Sequence, residues 1–114
     1  MSIYLTQVAY NPEAWTKLVA NPQNRFDAIR GPIESLGGKL LHGWFAFGEY
    51  DAVCVIEMPS QIEIAAIAIA FSAGGACKGV KTTPLMTAAE GIDALKKAAK
   101  CGYKGPAAKA ASAR

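Results

Sequence analysis

Apolar and polar residues alternate along this chain in segments that fit, in turn, the two-residue repeat of a strand and the 3.6-residue repeat of a helix. Residues 3–10 (IYLTQVAY) alternate and are rich in β-prone side chains, which predicts a strand. Asn11 and Pro12 then favour a helix start, because asparagine caps well and proline fits the first turn. After the interruption NPQN at 21–24, a second helix is predicted from an apolar stripe of Phe26, Ile29, Ile33 and Leu36.

Two strands are predicted in the middle of the chain, over residues 39–47 and 50–58. The glycines at 37–38 are expected to end the preceding helix with a left-handed cap. Gly48 and Glu49 connect the strands, and glycine at the first central position fits a two-residue type II′ turn with positive φ.

This turn fixes a register, and the register divides the side chains of the two strands between two faces. One face is almost wholly apolar and is predicted to lie under the helices; it holds Leu41, Phe45, Phe47, Tyr50, Ala52, Cys54 and Ile56. The opposite face is mixed, yet too apolar for open water; it holds Leu40, His42, Trp44, Ala46, Asp51, Val53, Val55 and Glu57.

The second half of the chain repeats the helix-then-strand order. SQIE at 60–63 has the pattern of a capping box and begins a helix that runs to about Ser72. That helix is apolar on nearly every side, so we expect it to be buried all round. ACKGVKTTP (76–84) is predicted to be the fourth strand, and Thr87 is predicted to cap a last helix.

The order β-α-β-β-α-β with an extra C-terminal helix predicts an α+β, ferredoxin-like fold with a four-stranded antiparallel sheet. We place the domain at residues 1–99 and a basic, disordered tail at 100–114. Helices cover only one face of such a sheet. The simplest cover for the other face is a second copy across a two-fold axis, so we expect a homodimer that forms a dimeric α/β barrel, or a higher homo-oligomer.

The distribution of charge and the number of cysteines reduce the range of functions to consider. The net charge of +3 divides into −3 over residues 1–95 and +6 over 96–114, so only the tail is basic. No nucleic-acid module accompanies that tail, and nucleic acid is not an expected partner. Three cysteines without a C-x-x-C pair argue against a zinc site or disulfide and favour the cytoplasm. No signal peptide or membrane span is expected, because the longest apolar stretch is about half of the ~20 residues that a membrane helix needs.

The stretch IESLGGKLLHGWFAFGEYDAVCVIEMP, followed by KTTPLMT, resembles the GYD-domain family. The motif of that family corresponds here to Gly48, Tyr50 and Asp51, and the resemblance spans about residues 3–96. It implies membership of the wider group of dimeric α/β-barrel proteins, which includes cofactor-free monooxygenases, isomerases, haem enzymes and ligand-binding modules. The family has no agreed activity, so the resemblance implies a fold and leaves the chemistry open.

Several side chains are candidates for a site. His42, the only histidine, lies beside Trp44 on the mixed face, with Glu57 diagonal to it at roughly 7–8 Å. A carboxylate there could orient the imidazole as a general base, although a histidine satisfied at a subunit contact is the simpler interpretation. Asp51 is the alternative orienting group. Tyr4, Thr6 and Tyr10 share one face of the first strand, where they either add hydroxyls to a cavity or follow ordinary strand alternation.

Three hypotheses follow for the function. The first is a homo-oligomeric module that binds a small organic ligand, in a pocket between sheet and helices or inside the dimer. Its predicted lining is His42, Trp44, Tyr50, Asp51 and Lys81. The second is a cofactor-independent enzyme of oxygenase or isomerase type, with His42, Glu57 and Asp51 as candidate catalytic residues. The third is a structural or interaction module without a ligand. No cofactor or metal is predicted.

Overall fold

The computed structural model describes residues 1–106 and contains four strands and four helices. Residues 107–114 of the predicted tail lie outside the described residues, so its disorder stays a prediction. In chain order the elements are β1 (Ser2–Tyr10), α1 (Pro12–Ala20), α2 (Arg25–Ser35), β2 (Lys39–Phe45), β3 (Ala52–Met58), α3 (Gln61–Ala73), β4 (Cys77–Leu85) and α4 (Ala88–Lys100).

The four strands form one antiparallel sheet in the order β2-β3-β1-β4. In this order β1 and β3 are central, while β2 and β4 are the edges. Helix α2 packs mainly over β2, and α3 packs over β4 and β3. The predicted α+β, ferredoxin-like fold with a C-terminal helix is therefore confirmed.

The helix boundaries follow the capping residues in the sequence. The side chains of Asn11, Asn24 and Ser60 each accept a hydrogen bond from a backbone N–H in the first turn of α1, α2 and α3. Thr87 and Glu90 form a complete capping box at the start of α4. Gly37 follows α2 with a φ of 83°, as the predicted left-handed cap requires.

The connection between β2 and β3 differs from the predicted two-residue turn. β2 ends at Phe45 and β3 begins at Ala52, so the loop spans residues 46–51. Gly48 does not have a positive φ, and the type II′ prediction is wrong. The longer loop is held by two backbone hydrogen bonds of 2.8 Å, from the Ala46 N–H to the Asp51 carbonyl and from the Asp51 N–H to the Val8 carbonyl.

The predicted register holds in the middle of the β2–β3 pair and fails at both ends. At the loop end, Phe47 and Tyr50 lie in the loop, and Phe47 is fully exposed, so its predicted place under the helices is wrong. Trp44 lies opposite Val53 and His42 opposite Val55, as expected. Between Leu40 and His42 the register shifts, and Leu40 lies opposite Ile56. The extra residue of this irregularity moves Leu40 to the helix-facing side, where it is buried, so its predicted place on the mixed face is wrong.

Apolar side chains of two helices, α3 and α4, are exposed. The prediction that α3 is buried all round is wrong, because Ile62 and Ile69 are 76% and 67% exposed. Only one side of α3, with Ile64 and Ile67, reaches the core. α4 has apolar Ile92 and Leu95 but no buried residue. Both helices therefore leave apolar side chains exposed in a single chain.

The core lies between the helices and one face of the sheet, which we call the covered face. It is formed by strand residues from β1, β2 and β3 together with residues of α2 and α3: Tyr4, Val8, Tyr10, Phe26, Ile33, Leu40, Ala52, Cys54, Ile56, Met58, Ile64 and Ile67. We call the other side of the sheet the open face.

Candidate functional site

A cavity of about 280 Å³ lies on the covered face, between α2, α3 and the two central strands. Its floor is formed by four buried strand residues, Val8, Tyr10, Ala52 and Cys54. Its walls are mostly apolar and come from both helices, with Phe26 and Ile29 on α2 and Ile67 and Phe71 on α3. Sites for small molecules usually occupy concave, largely apolar cavities of this kind.

The cavity follows from the way the helices divide the sheet. α2 lies over one edge strand and α3 lies toward the other. The two helices therefore do not fully cover the central strands between them. Ala28 on α2 and Ala70, Gly74 and Ala76 at the end of α3 also line the cavity, and all four are small. Larger side chains at these positions would close the gap, and their absence keeps it open.

Tyr10 brings a polar group into this apolar setting. Its side chain lines the cavity, is only 8% exposed, and packs edge-to-face on Trp15 with ring centroids 5.3 Å apart. Within residues 1–106 its hydroxyl has no hydrogen-bond partner, whereas its backbone N–H donates to Asp51. Burial raises the pKa of the phenol, so Tyr10 stays a neutral hydrogen-bond donor.

Asp51 holds Tyr10 in place. Its Oδ2 accepts a 2.8 Å hydrogen bond from the Tyr10 backbone N–H, while its own N–H donates to Val8. The loop after β2 is thereby fastened to the end of β1, next to the cavity floor. Asp51 thus acts as a positioning residue for Tyr10, and its carboxylate is already engaged.

Arg25 supplies the positive charge of the site. It is the first residue of α2, lines the cavity, and donates one 3.1 Å hydrogen bond to Gln23. An adjoining recess of about 220 Å³ shares Tyr10 and Arg25 with the cavity and adds Glu13 and Lys17. The charged groups therefore gather at one end of an otherwise apolar space.

Two cysteines also line the cavity without forming a reactive pair. Burial raises the pKa of the Cys54 thiol to about 11, and it raises the pKa of Cys77 as well. Cys54 lies opposite Thr6 and Cys77 opposite Tyr10 on different strands, which separates their Cα atoms by roughly 16 Å. This distance excludes a disulfide, and both thiols stay protonated near neutral pH.

The five residues predicted to line a pocket do not lie on this cavity. His42 and Trp44 are on the open face, where their rings stack with centroids 5.3 Å apart and an interplanar angle of 12°. Lys81 is in the same transverse row as Trp44, but β3 and β1 separate them by about 14 Å. Tyr50 is half-buried in the loop beside Asp51.

The catalytic candidates are likewise not brought into one constellation. Within the described part of the chain, the His42 side chain makes no hydrogen bond, and Asp51 is committed to the Tyr10 backbone. Glu57 lies opposite Lys39, one diagonal step from His42. Residues 1–106 contain no group of three or more histidine, cysteine and carboxylate side chains arranged to hold a metal ion. None of the helices described is long and apolar enough to cross a membrane.

Comparison with known protein families matches the GYD domain over residues 4–95, which is most of the chain. The chain belongs to the GYD-domain family. No curated protein and no solved structure gives a significant match. The matched range includes Gly48, Tyr50 and Asp51, and the match assigns no reaction to them.

The geometry gives Asp51 of this motif a structural role. Asp51 joins the loop to β1 and fixes Tyr10, which reaches the cavity. Strand alternation predicts Tyr10 as one of the hydroxyl residues that could face a cavity, whereas Arg25 carries no such signal. Its position after the cap Asn24 looks like an ordinary helix start, and no sequence signal distinguishes it from a solvated arginine.

Proposed function

We propose that this GYD-domain protein binds a small, largely apolar organic molecule in the cavity between α2, α3 and the sheet, and that it does so as a homo-oligomer. The observation that carries the proposal is the cavity itself, with an apolar lining and a Tyr10 hydroxyl that is unpartnered within residues 1–106. A hydroxyl that makes no hydrogen bond within the protein is free to donate one to a bound ligand.

The size and lining of the cavity support a small ligand. At about 280 Å³ it is near the lower end of the ~300–1,000 Å³ that is usual for small-molecule sites. Aromatic and branched side chains on both helices favour an apolar ligand body. Arg25, which lines one end of this cavity, would orient the molecule through its charge.

Exposed apolar surface supports the homo-oligomer. On the open face Trp44 is 55% exposed and Leu85 is 40% exposed, while Leu5, Val53 and Val55 between them are only half-buried. An apolar face of this extent is typical of an interaction surface. A second copy brought sheet to sheet would bury about 800 Å² per partner in an interface of standard size. We place the protein in the cytoplasm because its cysteines are free.

Filling the cavity tests the ligand proposal. The neutral fluorescent probe N-phenyl-1-naphthylamine should bind the wild-type protein, with enhanced emission that saturates. Ala70→Leu adds three carbons to the cavity wall and should weaken this binding at least tenfold, because the probe and the new side chain compete for the same space. Fluorescence titration gives the dissociation constants.

Ala65→Leu is the matched control. Ala65 is exposed on the same helix and does not line the cavity, so this variant should bind the probe as the wild type does. Equal affinity in the wild type and both variants would place the probe elsewhere and contradict the proposal. Absence of binding to the wild type would also contradict it and would favour a structural or interaction module.

A further inference from the structure

Two residues that carry hydrogen-bond donors lie where the cavity meets its adjoining recess. Tyr10 and Arg25 line both spaces, and so do the small residues Gly74 and Ala76. The Tyr10 hydroxyl is unpartnered within residues 1–106, and the guanidinium of Arg25 uses one donor on Gln23. The positive charge of Arg25 is close enough to act on both the Tyr10 phenol and the Cys77 thiol, lowering their pKa values against the larger effect of burial.

We infer that the cavity accepts a small monocarboxylate, with its apolar body among Phe26, Ile67 and Phe71 and its carboxylate bound by Arg25 and Tyr10. This inference rests on the proposed function and adds the chemical class of the ligand. Phe26, Ile67 and Phe71 form the apolar walls, and the two donors lie at the end where charged residues gather.

A carboxylate fits these donors better than a neutral polar group does. The planar guanidinium offers five N–H donors in a fork that matches two carboxylate oxygens, and one of its hydrogen bonds is already made to Gln23. Burial raises the pKa of the Tyr10 phenol, so it stays protonated and can donate to a carboxylate oxygen. Both groups therefore present donors to an anionic acceptor.

The charge at the site favours a single negative charge on the ligand. Among residues 1–106, Arg25 is the one cationic side chain that lines the cavity, and the recess adds Lys17 together with the acidic Glu13. Glu13 would repel a second negative charge, and a dianion would lose more hydration than these donors replace. The first turn of α2, where Arg25 lies, adds a weak positive potential from the helix dipole.

A matched pair of probes tests the inference. 3-Phenylpropanoate and 3-phenyl-1-propanol have nearly the same apolar body and differ in the carboxylate. Calorimetric titration of the full chain should give at least tenfold tighter binding of the carboxylate, since hydrogen bonds to charged groups contribute about 1.5–3 kcal/mol. Arg25→Gln should abolish this preference while binding of the alcohol is retained, and Arg25→Lys should restore part of it.

Two further variants test how much the Tyr10 hydroxyl contributes to carboxylate binding and whether the charge must lie at position 25. Tyr10→Phe keeps the ring and removes the donor, so it should weaken carboxylate binding by about fivefold to tenfold. Arg30→Gln removes a charge from the same helix at a position that lines neither space, and it should leave the preference unchanged. Circular dichroism of each variant checks that it is folded.

The outcomes distinguish this inference from the proposed function. Equal affinity for the two probes, or a preference that survives in Arg25→Gln, overturns the carboxylate assignment. If Ala70→Leu still weakens binding of both probes, the cavity remains the binding site for a neutral ligand. If neither probe binds, or Ala70→Leu changes nothing, both the inference and the proposed function are wrong.

Discussion

Ile56 and Val55 are neighbours on β3, yet they meet different surroundings. Ile56 lies on the covered face with no exposed surface, packed beneath the helices. Val55 lies on the open face in a row with Leu5 and His42, where it is half-buried and the core helices do not reach it. The same strands therefore complete a core on one side and present an apolar surface on the other.

The two faces of the sheet suit two different functions, ligand binding and subunit assembly, which the alternation of residues along the strands does not distinguish. The covered face is closed by this chain alone, and incomplete filling between α2 and α3 leaves a cavity there. The open face displays exposed apolar side chains, which suit contact with another subunit. Ligand binding and assembly would then depend on different residues, and variants should affect them independently.

The largest expected effect comes from truncation on the covered face. Ile56→Ala should lower the free energy of unfolding by about 2–5 kcal/mol, because it removes a fully buried side chain from packed surroundings. Val55→Ala should cost about 1 kcal/mol or less in dilute protein, since that side chain is already partly exposed to solvent in a single chain.

Urea unfolding at two protein concentrations measures both values. The cost of Val55→Ala should grow at the higher concentration if the open face is covered in an oligomer, because assembly then adds to stability. If Val55→Ala lowers the free energy of unfolding of monomeric protein as much as Ile56→Ala does, the proposed difference between the two faces is wrong.

A smaller effect is expected at the GYD motif. Asp51→Ala removes the acceptor of the Tyr10 backbone N–H and should cost about 1–3 kcal/mol in unfolding free energy. It should also weaken probe binding, since Tyr10 loses the contact that positions it beside the cavity. Thermal and urea unfolding, followed by titration of the folded variant with the probe, give the two readouts.

Asp51→Asn is the control for this role. The amide oxygen of the asparagine side chain can accept the same hydrogen bond, so this variant should keep most of the stability and binding. If Asp51→Asn loses as much stability and binding as Asp51→Ala, the negative charge of Asp51 matters more than its hydrogen bond, and the positioning role is wrong.

The fold could be predicted from the sequence because each helix and strand has its own local sequence pattern. Caps at Asn11 and Thr87, the glycine at 37, and alternating strand residues determine where elements begin and end. The irregularity at Leu41 was not accessible, since nothing in KLLHGW distinguishes a bulge from continuous pairing. The six-residue loop around Gly48 was missed for a related reason: glycine permits a tight turn without requiring one.

The candidate site was harder to predict from the sequence than the fold. Cavity volume depends on how α2 and α3 are spaced over the sheet, and this spacing is a property of tertiary packing. The sequence pattern therefore favours His42 and Trp44, which lie together on the open face, and gives no signal for Arg25. Roles for His42 and Glu57 in catalysis stay predictions, and they would require a space enclosed between subunits.

One titration tests the separation of the two faces most directly. Trp44→Lys places a charge within the proposed subunit contact, whereas Ala70→Leu fills the cavity. N-phenyl-1-naphthylamine affinity and sedimentation are measured for both variants beside the wild type. We predict that Trp44→Lys dissociates the oligomer but keeps probe affinity within about twofold, and that Ala70→Leu loses affinity while the oligomer persists. Loss of probe binding in Trp44→Lys with full binding in Ala70→Leu would contradict this separation.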